Sequence, residues 1–149
     1  PSLNSPLCEC YLCYIPQSPF RYHGEVMKTG VVLVEDNAMV RQTLAKMLAG
    51  FPDVEVIAQA AAGDEAVSCV EKHKPHVVIM DIRLPRMDGI AATREIKWKF
   101  PQVQVIGLSE YGHGYNADAM LKAGAIAVYQ KSMATEELYS AIKKAGRGV

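Results

Sequence analysis

The sequence predicts an α/β fold with a doubly wound, five-stranded parallel sheet. Five short apolar segments, mostly rich in β-branched residues, recur after residue 30, and amphipathic helical patterns separate them. The chain has 149 residues, of which 50% are hydrophobic, which suits one domain with a sizeable core. Strands that alternate with helices in this way form a parallel sheet covered by helices on both faces.

Each element has its own sequence signal. The predicted strands are residues 31–34, 54–59, 76–80, 103–108 and 126–130. The first helix repeats apolar residues at helical spacing and ends at Gly50, and the closing helix is predicted to begin with Thr135 as its N-cap. Trp98 and Phe100, near the end of the third helix, are interpreted as packing residues.

Residues 1–26 differ in composition from the rest and are predicted to be an N-terminal extension or leader of unknown role, ahead of one domain over residues 27–149. Four side chains in this segment are candidate zinc ligands, although the paired C-x-x-C spacing of zinc sites is missing. They are Cys8, Cys10, Cys13 and His23.

The charge balance argues against two classes of partner. The chain has 16 basic and 16 acidic residues, so no bulk charge attracts nucleic acid or an anionic membrane. No apolar run approaches the roughly 18 residues of a membrane helix, and no signal-peptide pattern is present. We therefore expect a cytoplasmic chain without membrane contact.

Polar residues stand where the predicted strands end. Strand one runs into Glu35 and Asp36, strand three into Asp81, strand four into Ser109, and strand five leads to Lys131. The carboxyl ends of parallel strands share one edge of the sheet, so these groups should converge there. Clustered carboxylates need a counter-charge, and Mg²⁺ is the expected cofactor, with Mn²⁺ as an alternative. A flavin site is disfavoured because the acids after strand one would repel a phosphate.

Four fragments carry a family resemblance. The segments VLVEDN, IMDIRLPRMDG, VIGLSE and GAIAVYQKS, in this order at the ends of strands one, three, four and five, resemble a response-regulator receiver domain of two-component signalling. The resemblance covers about residues 28–146. It implies a flavodoxin-like (CheY-like) sheet with strand order 2-1-3-4-5, and a phospho-accepting signalling domain rather than an enzyme, with at most self-phosphorylation and self-dephosphorylation activity.

The same resemblance implies roles for the acidic residues. Asp81 matches the aspartate that accepts a phosphoryl group from a sensor histidine kinase. Glu35, Asp36 and Asp81 match the carboxylates of the Mg²⁺ site, and the backbone carbonyl of Arg83 is the expected further ligand. A carboxylate suits this chemistry because a metal screens its charge and orients the incoming phosphoryl oxygens.

Other matching positions imply stabilisation and switching of the phosphoryl group. Ser109 matches the hydroxyl that hydrogen-bonds it, and Lys131 the lysine that pairs with it. Val128 departs from the aromatic residue of many members, and Tyr129 should point to the opposite face of the strand.

Three residues stand at positions that the resemblance links to the lifetime of the phosphoryl group. They are Arg83, Glu110 and Tyr111. We expect a lifetime unlike that of fast-cycling members. The Glu110 carboxylate, which stands where a small residue is common, is expected to crowd or repel a phosphoryl donor. Asp88, in contrast, is interpreted as a helix cap.

The C-terminal sequence resembles receivers that precede a LuxR-type helix-turn-helix. The expected intact protein is a transcription factor that contacts DNA only through an output domain beyond Val149, and homodimerisation is expected as in the family. Two alternatives come from other functional classes. One is a pseudo-receiver that acts without phosphorylation. The other is a haloacid-dehalogenase-type phosphatase, which requires a second aspartate where Arg83 stands.

Overall fold

The computed structural model describes residues 27–147, which form five strands and five helices in strict alternation. They are β1 (Thr29–Val34), α1 (Ala38–Ala49), β2 (Val54–Ala60), α2 (Gly63–His73), β3 (Val77–Asp81), α3 (Gly89–Lys99), β4 (Gln104–Ser109), α4 (Tyr115–Ala123), β5 (Ala127–Gln130) and α5 (Thr135–Gly146). All neighbouring strands are parallel, in the order β2-β1-β3-β4-β5. The predicted fold class and strand order are confirmed.

The sheet divides the apolar interior into two cores. Successive side chains of a strand point to opposite faces, so Val31 and Leu33 pack beneath α1 and α5, whereas Val32 and Val34 pack beneath α2, α3 and α4. The central strands β1 and β3 are buried along their whole length, as expected for a sheet with both faces covered. The strand ends are thereby fixed from both sides.

Helix caps follow the sequence signals in part. The side chains of Asn37 and Asp88 cap α1 and α3 by accepting hydrogen bonds from the amides of the third residue after each, and Gly50 follows α1 as predicted. The prediction that Thr135 is the N-cap of the last helix is wrong. Ala134 occupies the cap, without a side-chain hydrogen bond, and Thr135 is already helical. Two glutamates in the first turn of α5 supply negative charge at its N-terminus.

The two aromatic residues near the end of α3 have different environments. Phe100 packs against the core beneath α2, α3 and α4, as predicted. Trp98 is 85% exposed, so its predicted packing role is wrong. The reason is helical periodicity: Ile96 faces the core, and a residue two positions later lies about 200° around the helix.

Two glycines hold the β3–α3 loop close to the strand ends. A β-carbon on Gly89 would overlap the carbonyl oxygen of Asp81, and one on Gly63 would overlap the carbonyl oxygen of Met87. The amide of Gly89 also donates to the carbonyl of Ile82 at 2.8 Å. The loop that follows Asp81 is therefore packed backbone to backbone against its neighbours.

The predicted N-terminal extension, with its candidate zinc ligands, lies outside the described residues. Within residues 27–147, no helix is long and apolar enough to cross a membrane.

Candidate functional site

Three carboxylates lie together at the carboxyl edge of the sheet. One oxygen from each of Glu35, Asp36 and Asp81 lies within 4.8 Å of the others. The register explains the meeting, because Val34 of β1 pairs with Met80 of β3, which brings the next residues of both strands side by side. Glu35 and Asp81 are 1% and 3% exposed, whereas Asp36 is exposed to solvent.

A lysine from the far side of the sheet bridges the two buried carboxylates. The Nζ of Lys131 donates to Glu35 Oε1 at 2.8 Å and to Asp81 Oδ2 at 3.0 Å. Burial lowers the pKa of this ammonium, but the hydrogen bonds and charges of Glu35 and Asp81 outweigh it, so the pKa of Lys131 is raised above 10.5. Three negative charges and one positive charge leave the cluster with a net charge of −2.

Backbone amides hold the other carboxylate oxygens. Glu35 Oε2 accepts from the amide of Asn37 at 3.0 Å, and Asp81 Oδ1 accepts from the amide of Arg83 at 3.3 Å. Every buried side-chain polar atom of the described residues has a hydrogen-bond partner. In the same part of the chain, no hydrogen bond reaches the Asp36 carboxylate, so this side chain depends on its backbone for placement.

A cavity of about 550 Å³ opens over the cluster. Besides the three carboxylates and Lys131, its lining includes the remaining predicted positions at the strand ends. These are Arg83, Ser109, Glu110 and Tyr111. The Oγ of Ser109 accepts from the amide of Tyr111 at 3.4 Å, and the carbonyl of Ser109 accepts from the amide of Lys131 at 2.8 Å.

Val128, the position that departs from the aromatic pattern, lies in β5 and packs against the core beneath α2, α3 and α4. Tyr129 packs against the opposite core, as strand alternation predicted. Neither residue lines the cavity.

The donor set fits a divalent cation that prefers oxygen ligands. All three clustered groups are carboxylates, and a net charge of −2 is the charge that such an ion neutralises. Glu35, Asp36 and Asp81 are therefore the residues that could hold Mg²⁺.

Sequence reasoning missed two contributors to this site. Nη1 of Arg41, on α1, donates to the backbone carbonyl of Glu35 at 2.6 Å. Gly89 allows the β3–α3 loop to lie against Asp81. The glycine follows the Asp88 cap directly and could have been noticed, whereas the arginine carries no local signal.

Comparison with known proteins identifies the family. Residues 31–143 match the family described as the response regulator receiver domain. The chain belongs to this family. Receiver domains are signalling domains that interact with histidine kinases and phosphatases and bind Mg²⁺ at their acidic cleft.

Individual relatives agree with this assignment. The transcriptional regulatory protein DegU of Brevibacillus brevis is 34% identical over 121 residues, which cover 81% of this receiver chain and 51% of DegU. The chain thus spans about half the length of that relative. A DNA-binding response regulator of the LuxR family from Staphylococcus aureus is 28% identical, with a TM-score of 0.74 over 79% of this chain and 98% of that structure.

A third relative concerns the metal. The receiver domain of the sensor histidine kinase PA1611 from Pseudomonas aeruginosa PAO1 was solved with a magnesium ion coordinated in its active-site cleft. It is 28% identical to this receiver, with a TM-score of 0.74 over 80% of this chain and 98% of that one.

Proposed function

We propose that this receiver accepts a phosphoryl group on Asp81 from a partner histidine kinase, in a Mg²⁺-dependent reaction, and that the acyl phosphate switches the output of a longer protein. The observation that carries the proposal is the environment of Asp81. Its buried carboxylate belongs to a cluster of net charge −2, is bridged to Lys131, and borders a cavity open to a donor. This combination suits a nucleophile whose charge must be screened before an anionic group can approach.

The reaction needs positioning more than covalent assistance. An Asp81 oxygen forms a bond to phosphorus as the bond between phosphorus and the kinase imidazole breaks, and the electron pair of that bond stays on the imidazole nitrogen, which takes up a proton. The carboxylates of Glu35, Asp36 and Asp81 and the carbonyl of Arg83 would hold Mg²⁺, which when bound neutralises charge on the phosphoryl oxygens. The Lys131 ammonium would shift from the Asp81 carboxylate to the new group, and the Ser109 hydroxyl would donate to it.

Three residues of the cavity lining are proposed to set how long the acyl phosphate survives. Arg83, Glu110 and Tyr111 line the same cavity as Asp81, where water must enter for hydrolysis. The charge of Glu110 would oppose the approach of small anionic donors. Val128 stands where many members of the family have an aromatic residue. We therefore propose that movement of Ser109 is read out through β5, because the carbonyl of Ser109 accepts a hydrogen bond from the amide of Lys131, the residue that follows β5.

The output is proposed to be transcription. DegU is named a transcriptional regulatory protein, and the Staphylococcus aureus structure is described as a DNA-binding regulator of the LuxR family. We propose that the full protein carries a LuxR-type helix-turn-helix that contacts DNA, that it acts in the cytoplasm, and that the receiver forms a homodimer through α5 and the exposed side of β5.

The test is intact-protein mass spectrometry after incubation with acetyl phosphate, with and without Mg²⁺. Wild type should gain one phosphoryl group only with Mg²⁺, and Asp81→Asn should gain none. Asp118→Asn makes the same chemical change at an exposed site on α4 and should label like wild type. Labelling of Asp81→Asn would place the acceptor elsewhere, and no adduct on wild type with either acetyl phosphate or beryllofluoride would favour the pseudo-receiver.

A further inference from the structure

We infer that Arg41 is a positioning residue for the proposed metal site. This inference rests on the proposed function, because it concerns the carboxylates that would hold Mg²⁺. Arg41 lies on α1, and its Nη1 donates to the backbone carbonyl of Glu35 at 2.6 Å in a partly buried contact. Hydrogen bonds from a charged donor are stronger than neutral ones, so this contact is a firm tie between α1 and the end of β1.

The hydrogen bond from Arg41 affects Asp36 through the planar peptide group that joins Glu35 to Asp36. The carbonyl of Glu35 and the amide of Asp36 belong to one planar group, so a donor that holds the carbonyl also sets the direction in which the chain enters Asp36. Within residues 27–147, the Asp36 carboxylate has no hydrogen bond of its own to hold it near Glu35 and Asp81. The contact from Arg41 therefore fixes the least supported of the three carboxylates.

Glu35, the residue before Asp36, is held by hydrogen bonds that do not involve Arg41. The side chain of Glu35 is held by Lys131 and by the amide of Asn37, and the amide of Glu35 donates to the carbonyl of Ala60 at 3.0 Å. Loss of the Arg41 contact should leave these bonds in place and loosen the peptide that leads into Asp36.

The positioning role of Arg41 and its positive charge lead to opposite predictions for cation binding when the residue is removed. The guanidinium is a positive charge beside an acidic cluster, so electrostatics alone would make its removal strengthen cation binding. If Arg41 acts by placing Asp36, its removal should weaken binding. Residues that orient metal ligands typically change metal affinity by about 10-fold or more when removed.

The experiment measures Mn²⁺ binding by electron paramagnetic resonance, with Mg²⁺ as competitor, since both ions take oxygen ligands. Arg41→Met should bind Mn²⁺ about tenfold more weakly than wild type. Arg41→Lys, which keeps the charge and one donor group, should bind with intermediate affinity. The control is Arg94→Met, which makes the same change at an exposed position on α3 and should match wild type.

A second readout separates positioning from a general structural role. The gain in unfolding stability on adding Mg²⁺ depends on metal affinity, so it should shrink in Arg41→Met, whereas a purely structural loss would be equal with and without Mg²⁺. Unchanged or tighter Mn²⁺ binding by Arg41→Met would overturn the inference. If that variant does not fold, Arg41→Lys decides, and affinity equal to wild type would overturn it.

Failure of the proposed function would look different. A wild type that binds no divalent cation would overturn both proposals. A wild type that binds Mn²⁺ but takes up no phosphoryl group would overturn the phosphorylation step, and the comparison of Arg41 variants would still decide the positioning role.

Discussion

Replacing Lys131 with methionine tests how much repulsion among the clustered carboxylates costs in unfolding stability. Methionine keeps much of the apolar stem and removes the ammonium that contacts Glu35 at 2.8 Å and Asp81 at 3.0 Å. The three carboxylates of the cluster then lack the ammonium that contacts two of them directly, and these two are almost fully buried. We expect the variant to be destabilised when no divalent cation is present.

The size of the effect follows from these contacts. Each ion pair is worth about 6 kcal/mol of attraction at an effective dielectric near 20, most of which offsets the cost of removing the charges from water. Deleting one partner of a buried pair costs about 3–5 kcal/mol. Because the Lys131 side chain is 23% exposed, we expect a value near the lower end, about 3 kcal/mol. Mg²⁺ should recover much of this loss, since the cation supplies the missing positive charge.

The assay is urea unfolding in EDTA and in excess Mg²⁺. Lys143→Met is the matched control: Lys143 has the same 23% exposure and contacts Asp53 at 3.0 Å, far from the carboxylate cluster along the strand direction. Because Asp53 is 19% exposed, against 2% and 4% for the carboxylates that contact Lys131, the loss should cost only about 1 kcal/mol, equally in both buffers. The reasoning is refuted if Lys131→Met is as stable as wild type in EDTA, or if its deficit is the same with and without Mg²⁺.

Three further outcomes are expected. Gly89→Ala should lose about 3 kcal/mol in urea unfolding, because the new methyl group meets the rigid carbonyl of Asp81. The raised pKa of Lys131 means that its ion pairs contribute fully below pH 10.5 and are lost as the pH rises through the raised value, so Lys131→Met should lack part of the alkaline loss of stability. The hydrogen bond from Tyr139 is the largest cause that lowers the pKa of Asp53 below 3.8. In urea unfolding, the stability deficit of Tyr139→Phe should therefore be present at neutral pH and shrink as the pH falls below 3.8 and through the lowered pKa of Asp53.

Strand positions were predictable because each strand is a compact apolar segment bounded by polar or turn residues. Observed and predicted strand boundaries differ by two residues at most. The meeting of Glu35, Asp36 and Asp81 was also predictable, since parallel strands end at a common edge. Their roles in phosphoryl transfer remain predictions that the proposed experiments test.

Features that depend on tertiary approach could not be read from the sequence. The ion pair between Glu35 and Lys131 joins residues 96 positions apart, and the contact of the same lysine with Asp81 requires four neighbouring strands, β1, β3, β4 and β5, to be in register. The reach of Arg41 to a carbonyl six positions earlier depends on the entry angle of α1. The N-cap prediction for Thr135 fails for a local reason, because the helix begins one residue earlier and Thr135 becomes an ordinary first-turn residue.

The two cores on opposite faces of the sheet have a consequence for how such a domain can diversify. Distant substitutions that share no contact usually have additive effects on stability. The side chains beneath α1 and α5 and those beneath α2, α3 and α4 belong to separate packed layers, divided by the backbone of the sheet. Descendants of this domain can therefore repack one layer, and reshape the surface above it, at little energetic cost to the other. The carboxyl edge of the sheet borders both layers, so a change in its geometry requires substitutions in both.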